Sequence, residues 1–171
     1  MNDLLEKTLV RRYPCLYKDY GKSPKESGMA WGFSCGDGWF SILTELSEKI
    51  DAIDKKNVVV ADQVKEKFGG LRFYYHIDGK NQNYDSIRFK IRSWFYNNIF
   101  YKLPYKLRDI LSAIRKFFYK NLDEKIDELI NMAEKQSFKI CELCGEPGDA
   151  KGGGWISTLC VKCRKKRLSS T

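Results

Sequence analysis

The chain has 171 residues, with 31 lysines and arginines against 22 aspartates and glutamates, and a formal net charge of +9. That length supports one ordinary domain, or one with a small appendage, and a real buried core. The charge points to an acidic or phosphorylated partner, and the most apolar stretch, SWFYNNIFY, falls well short of the roughly eighteen residues that mark a membrane span.

Residues 1–80 are expected to mix helix and strand. Met1 to Arg12 lacks the apolar core of a secretory signal, so a cytoplasmic protein with reduced thiols is expected. The stretch instead predicts a short amphipathic helix through Leu4, Leu5 and Leu9, followed by a loop through Pro14, Gly21 and Pro24. CGDGWFSILTELSEKIDAI reads as a tight turn into a helix, with Asp37 or a neighbour as N-cap and Phe40, Leu43, Leu46, Ile50 and Ile53 on its core face. NVVVADQVKEKFGGLRFYYHIDG carries a β-branched run and then two extended arms about Gly69-Gly70, the signal of a two-residue hairpin. Alternation groups Val64, Glu66 and Phe68 on one side of the first arm, and Leu71, Phe73 and Tyr75 on one side of the second. It sends Lys65, Lys67, Arg72, Tyr74 and His76 to the opposite faces, as a possible basic, aromatic platform.

Residues 81–120 differ in composition. Arg88, Lys90, Arg92, Lys102, Lys106, Arg108, Arg115 and Lys116 interleave with Phe89, Trp94, Phe95, Tyr96, Phe100, Tyr101, Phe117 and Phe118. The pattern predicts an inserted helical hairpin broken near Pro104. Three readings fit it: aromatics packing on each other beneath solvated charges, a nucleic-acid-binding arm, or an interfacial helix pair touching an anionic membrane through 87–119.

Residues 121–171 open with a capping-box pattern, Asn121 to Glu124, and a helix carrying Ile126, Leu129, Ile130 and Ala133 toward the core. That helix leads to the most specific signal in the chain. Cys141 and Cys144 form one C-x-x-C pair and Cys160 and Cys163 another, fifteen residues on. Each pair can bend round one ion at about 2.3 Å per sulfur, and a loop of roughly 15–20 residues returns the second pair to finish a tetrahedron. Gly145 follows the first pair, where a metal knuckle needs positive φ. Two disulfides or spare thiols are the alternatives to zinc, and Cys15 and Cys35 have no metal-type partner in sequence. Four thiolates close the coordination shell, so the expected Zn²⁺ is structural. A deaminase-type site would want H-x-E and P-C-x-x-C; His76 is followed by Ile77 and Asp78, and Ile140 precedes Cys141. Trp155 is expected to pack over the knuckle or against the helix before it, and the basic end RKKRLSST to be solvated or to reach a phosphate backbone.

CGDGWF, VKEKFGGLRFYY and CELCGEPG…GGGWISTLCVKC together resemble a group of small, mostly uncharacterised proteins of phages, prophages and bacteria. The resemblance covers roughly residues 30–80 and 121–163. In that group the hairpin runs almost directly into the helix before the first cysteine pair, so 81–120 stands as an insertion here. The resemblance implies a shared fold and a phage context and brings no established activity.

The fold expected is therefore α+β. A small mixed helix and β-hairpin domain, 1–80, packs with a helix and four-cysteine zinc knuckle of zinc-ribbon type, 121–171, and 81–120 is inserted between them. Three function classes compete. The first, narrowly preferred, is a non-enzymatic nucleic-acid-binding module using the platform together with Arg88, Arg92, Lys106 and Arg115. The second is a phage counter-defence protein that sequesters a small cyclic or linear nucleotide. There Trp31, Trp39 or Tyr74 would stack the base, Arg72 or Lys67 would hold phosphate, and Asp37 would lie in the Gly-rich turn. The third is an enzyme using Cys15 or Cys35 with His76, or Asp37 as acid or base, for which a lone histidine is thin support. Trp39 and Asp37 each have a structural alternative, in the core and as a helix cap respectively.

Overall fold

Asn2 opens the first helix, α1 (Asp3–Arg12), by accepting a hydrogen bond from the Leu5 N–H at 3.1 Å. Acidic Asp3 and Glu6 lie in its first turn and basic Arg11 and Arg12 in its last, each complementing the helix dipole. Leu9 is its buried anchor, and the chain leaves the helix through Tyr13, Leu16 and Tyr17, all buried. The Tyr17 hydroxyl meets Ser47 Oγ at 2.7 Å, so the largest polar group in this part of the core is satisfied.

The structure, a computed structural model, describes residues 1–78, 107, 122–152 and 155–169. Arg88, Arg92, Lys106 and Arg115, with the expected helical hairpin and the first residue of the Asn121 capping box, lie outside the described residues. The chain divides into two compact units, Met1–Asp78 with Ile126–Thr171, and Gly79–Lys125.

The architecture is α+β. Strand β1 (Phe33–Ser34) pairs parallel with β2 (Val59–Lys67), and β2 pairs antiparallel with β3 (Gly70–Ile77). Between β1 and β2 runs α2 (Phe40–Ile53), whose buried residues Ile42, Leu43, Leu46, Ser47 and Ile50 recur at helical spacing. Phe40 and Ile53, expected on that face, are only half-buried at its two ends. Asp37 does not cap α2. Its carboxylate accepts the backbone N–H and the side-chain amide of Asn2, both at 2.7 Å, so it sits at the start of α1 instead. Those bonds hold the Asp37 carboxyl below its usual range.

The hairpin is one residue out from the expected turn. Lys67 pairs with Gly70, so Phe68 and Gly69 form the turn rather than Gly69 and Gly70. Both turn residues have positive φ, 54° and 78°, as the right-handed twist of a two-residue hairpin demands. Faces are preserved by this shift. Val64, Leu71 and Phe73 are buried, while Lys65, Arg72 and Tyr74 alternate to the other side, with Lys65 paired to Arg72 and Gln63 to Tyr74. A bulge between Ala61 and Gln63 lets Val59, Val60, Ala61 and Val64 all be buried.

The third helix, α3 (Leu122–Ser137), buries Ile126, Ile130, Ala133 and Ser137 at intervals of four, three and four. Leu129, expected with them, is half-buried. A short hairpin of β4 (Asp149–Lys151) and β5 (Ser157–Leu159) then leads into α4 (Val161–Leu168). No described helix is long and apolar enough to cross a membrane.

Candidate metal centre

The first cysteine pair sits on a tight reversal after α3. The Cys141 N–H donates to the Glu146 carbonyl at 2.7 Å, the Gly145 N–H to the Cys141 carbonyl at 2.9 Å, and the Gly148 N–H to the Lys139 carbonyl at 2.9 Å. Gly145 takes φ of 78°, the left-handed conformation expected of it. The second pair lies at the start of α4. Cys160 is the N-cap, and its sulfur accepts the Cys163 N–H at 3.4 Å. Arg164 fastens this helix to the β4–β5 hairpin, donating to the carbonyls of Asp149 at 2.7 Å and Leu159 at 3.1 Å and to Asp149 Oδ1 at 3.0 Å.

These two segments bring Cys141, Cys144, Cys160 and Cys163 together, with all four sulfurs within 4.8 Å of one another. Cys144 Sγ and Cys160 Sγ are 3.6 Å apart. A tetrahedral ion with bonds of about 2.3 Å has sulfur–sulfur edges of about 3.8 Å, whereas a disulfide needs about 2.05 Å. The cysteines are free of disulfides, and the cluster could hold a metal ion. The thiols also compete for charge. The Cys163 N–H pulls Cys160 down to about 7, while the adjacent Cys144 thiol pushes Cys163 up to about 12. A divalent cation removes that conflict, because it favours the thiolate at every ligand.

The segment around CGDGWF is built against this knuckle. The Gly38 N–H donates to the Glu142 carbonyl at 2.7 Å, the Gly36 N–H to Glu142 Oε1 at 3.1 Å, and the Trp39 indole N–H to the Ile140 carbonyl at 2.9 Å. Gly38 allows this approach because a Cβ there would overlap the Cys141 oxygen and the Gly145 nitrogen. The β2–β3 hairpin is fastened as well. Thr158 Oγ1 donates to the Gly69 carbonyl at 2.5 Å, the Leu71 N–H donates to Ser137 Oγ at 2.9 Å, and the Phe138 ring lies against Gly70.

Among the expected ligand residues, Trp39 is placed differently from the stacking role. It is fully buried with its one polar atom engaged, so it offers no ring face to a ligand. Asp37 is held by Asn2. Arg72 donates to the Leu71 carbonyl at 2.7 Å and to Glu134 Oε2 at 3.3 Å, and lies over the Phe138 ring. Trp31 and Tyr74 remain open, 72% and 43% exposed, and Lys67 ends β2 in solvent. Lys65, expected on the platform from sequence, places Nζ 5.3 Å from the Tyr74 ring centre. Trp155, expected to pack, is instead 70% exposed. Phe68, grouped with Val64 and Glu66 on one side of the first arm, is 66% exposed at the hairpin tip. The only sequence cue for Phe68 was that the Gly-Gly pair allowed two turn positions.

The two remaining cysteines differ in environment. Cys35 is buried, which pushes its thiol up to about 12 and opposes nucleophilic chemistry, while Cys15 is exposed. His76 Nδ1 meets Asp62 Oδ1 at 2.7 Å at the far end of the hairpin. Compared with known proteins, the chain matches no family model, no curated protein and no solved structure.

Proposed function

We propose that this chain is a zinc-stapled, non-enzymatic nucleic-acid-binding module. In this reading the four cysteines hold a Zn²⁺ that has no open coordination position and serves the fold alone. The ligand is a single strand of DNA or RNA lying across the side of the sheet that carries Lys65, Lys67 and Tyr74. The observation that carries the reading is the stacking of Lys65 on Tyr74, on the face turned away from the core. An aromatic ring with a cation beside it offers a base and its phosphate what each needs, a π-face and a positive charge. The net charge of +9 favours the same class of partner over long range.

Arg72 contributes less to this face than its charge implies. Its guanidinium is already paired with Glu134 and laid over Phe138, so it ties α3 to β3. The reading is tested by titrating the zinc-loaded full chain with labelled single- and double-stranded DNA and RNA at two salt concentrations, beside a panel of cyclic and linear nucleotides. The expected result is single-strand binding whose log–log salt slope is about −0.7 per phosphate contacted. Lys65→Glu should weaken it and flatten that slope. Tight one-to-one binding of a small nucleotide, with no polymer bound at low salt, would overturn the reading.

A further inference from the structure

Phe68 stands in a conformation that a bulky residue rarely adopts. Its φ of 54° is in the left-handed region, where asparagine or glycine is the less strained choice for a hairpin turn. Core packing does not repay that strain, because the side chain is two-thirds exposed. Nor can the turn relax. The Gly69 N–H donates to Glu66 Oε1 at 2.6 Å, and the Gly69 carbonyl accepts from Thr158. A strained, exposed aromatic on a backbone fastened from both sides is the arrangement found where presentation of the ring is the purpose.

The surroundings specify what it presents to. A Cβ built on Gly69 would lie 2.9 Å from Ile156 Cγ2, so the hairpin tip adjoins the Trp155–Ile156 segment. The hairpin tip and the loop before β5 thus place three exposed apolar side chains, Phe68, Ile156 and Trp155, in adjoining segments. Lys67 Nζ lies 5.3 Å from the Phe68 ring centre, and Arg167 is held beside β5 by Ser157 Oγ at 3.2 Å. The only carboxylate on the tip itself, Glu66, is engaged with the Gly69 N–H. Ring faces bordered by cations complement a nucleotide, whose flat base is followed along the chain by phosphate.

We propose that Phe68 and Trp155 form a base-stacking finger that takes an unpaired base of a nucleic-acid strand. This deepens the nucleic-acid reading above and rests on it: the sheet face holds the backbone, and the finger distinguishes a strand that has bases from one that has only phosphates.

The experiment compares two labelled oligonucleotides of about twelve nucleotides, within the usual site size of single-strand binders. One is oligothymidylate and the other an abasic strand of equal charge. Both are titrated into the zinc-loaded full chain and into Phe68→Asn, Trp155→Ala and the double variant. Asn tolerates the left-handed turn, so Phe68→Asn removes the ring without disturbing the hairpin. The wild-type chain should bind oligothymidylate about tenfold more tightly than the abasic strand. Each single variant should shrink that margin and the double variant abolish it, with abasic binding and its salt slope unchanged, while Lys65→Glu weakens both strands. Equal affinity for the two strands in the wild type, or a margin kept by the double variant, overturns the finger and leaves the nucleic-acid reading standing. Failure of both strands to bind at low salt overturns both.

Discussion

The backbone N–H of Gly38 and the carbonyl of Glu142 form a 2.7 Å hydrogen bond between the turn before α2 and the turn that carries the first two cysteines. With the Trp39 indole on Ile140 and the Gly36 N–H on the Glu142 carboxylate, it makes the knuckle part of the main core rather than an appendage. The Cys141 oxygen and the Gly145 nitrogen occupy the space a Cβ on residue 38 would need, and both are backbone atoms with no rotamer to change. Gly38→Ala should therefore force the two turns apart. Overpacking of this kind costs about 1–3 kcal/mol, and part of that loss should appear as weaker metal retention. Chemical denaturation together with zinc titration by a chromogenic chelator measures both; unchanged stability would show that the turns are not in contact in solution.

The metal makes a larger prediction. Binding of Zn²⁺ to four thiolates couples an apparent energy of about 10–16 kcal/mol to folding in small zinc modules. Cys144→Ser should lose the ion and unfold at least Ile140–Leu168, with Trp39 becoming fluorescent in a polar environment as its cover departs. Purified wild-type chain should carry one zinc per molecule by elemental analysis. A chain free of zinc, or one that gives up its zinc to a chelator without a fall in melting temperature, would rule the assignment out.

What the sequence made legible follows from how local each signal is. Cys141, Cys144, Cys160 and Cys163 could be grouped because coordination chemistry imposes their spacing directly on the chain. The core face of α2 was readable because Leu43, Leu46 and Ile50 repeat at the helical period. The core position of Trp39 was one of the readings open in the sequence, but its bond to Ile140 and that of Asp37 to Asn2 were not, since those partners lie far away in sequence and hydrogen bonding leaves no periodic trace. The hairpin illustrates the boundary between the two. Its existence was evident, but either Phe68-Gly69 or Gly69-Gly70 could turn the chain. The choice falls to tertiary contacts: Gly70 is needed flat beneath Phe138, and Gly69 takes the Thr158 hydroxyl. Trp155 eluded the pattern because exposure of a tryptophan runs against its usual burial.

Cys35 gives the chain a predictable response to alkali. Burial raises its thiol from an ordinary value of 9.0 to about 12, with Glu142, Glu6 and Asp37 adding to the rise and the N-terminal ammonium opposing it. Above pH 9 the unfolded chain releases this proton while the folded chain keeps it, so the folded state binds more protons and loses stability as pH rises. The contribution is whole below pH 9 and disappears progressively toward pH 12, at up to about 1.4 kcal/mol per pH unit. Cys35→Ala should reduce the slope of unfolding free energy against pH by one proton over that window. In the folded chain at pH 8, a thiol reagent should label Cys15 and spare Cys35. An unchanged slope, or equal labelling of the two, would contradict the burial.

Phe68 separates stability from binding. A non-glycine residue in the left-handed region costs roughly 1–2 kcal/mol, and asparagine suffers less because its short amide bonds locally to the backbone. Phe68 recovers little of that cost by burial, since most of its ring is in water. Phe68→Asn should therefore raise the unfolding free energy by about 1 kcal/mol, whereas Phe68→Ala, which keeps the strained φ, should leave it nearly unchanged. Both substitutions remove the ring, so both should shrink the preference for a strand bearing bases. A sequence retained for stability alone would place asparagine at this turn. Denaturant midpoints for the two variants, measured beside their oligonucleotide affinities, decide the matter: if Phe68→Asn destabilises the chain, the ring is a packing residue and the finger is lost.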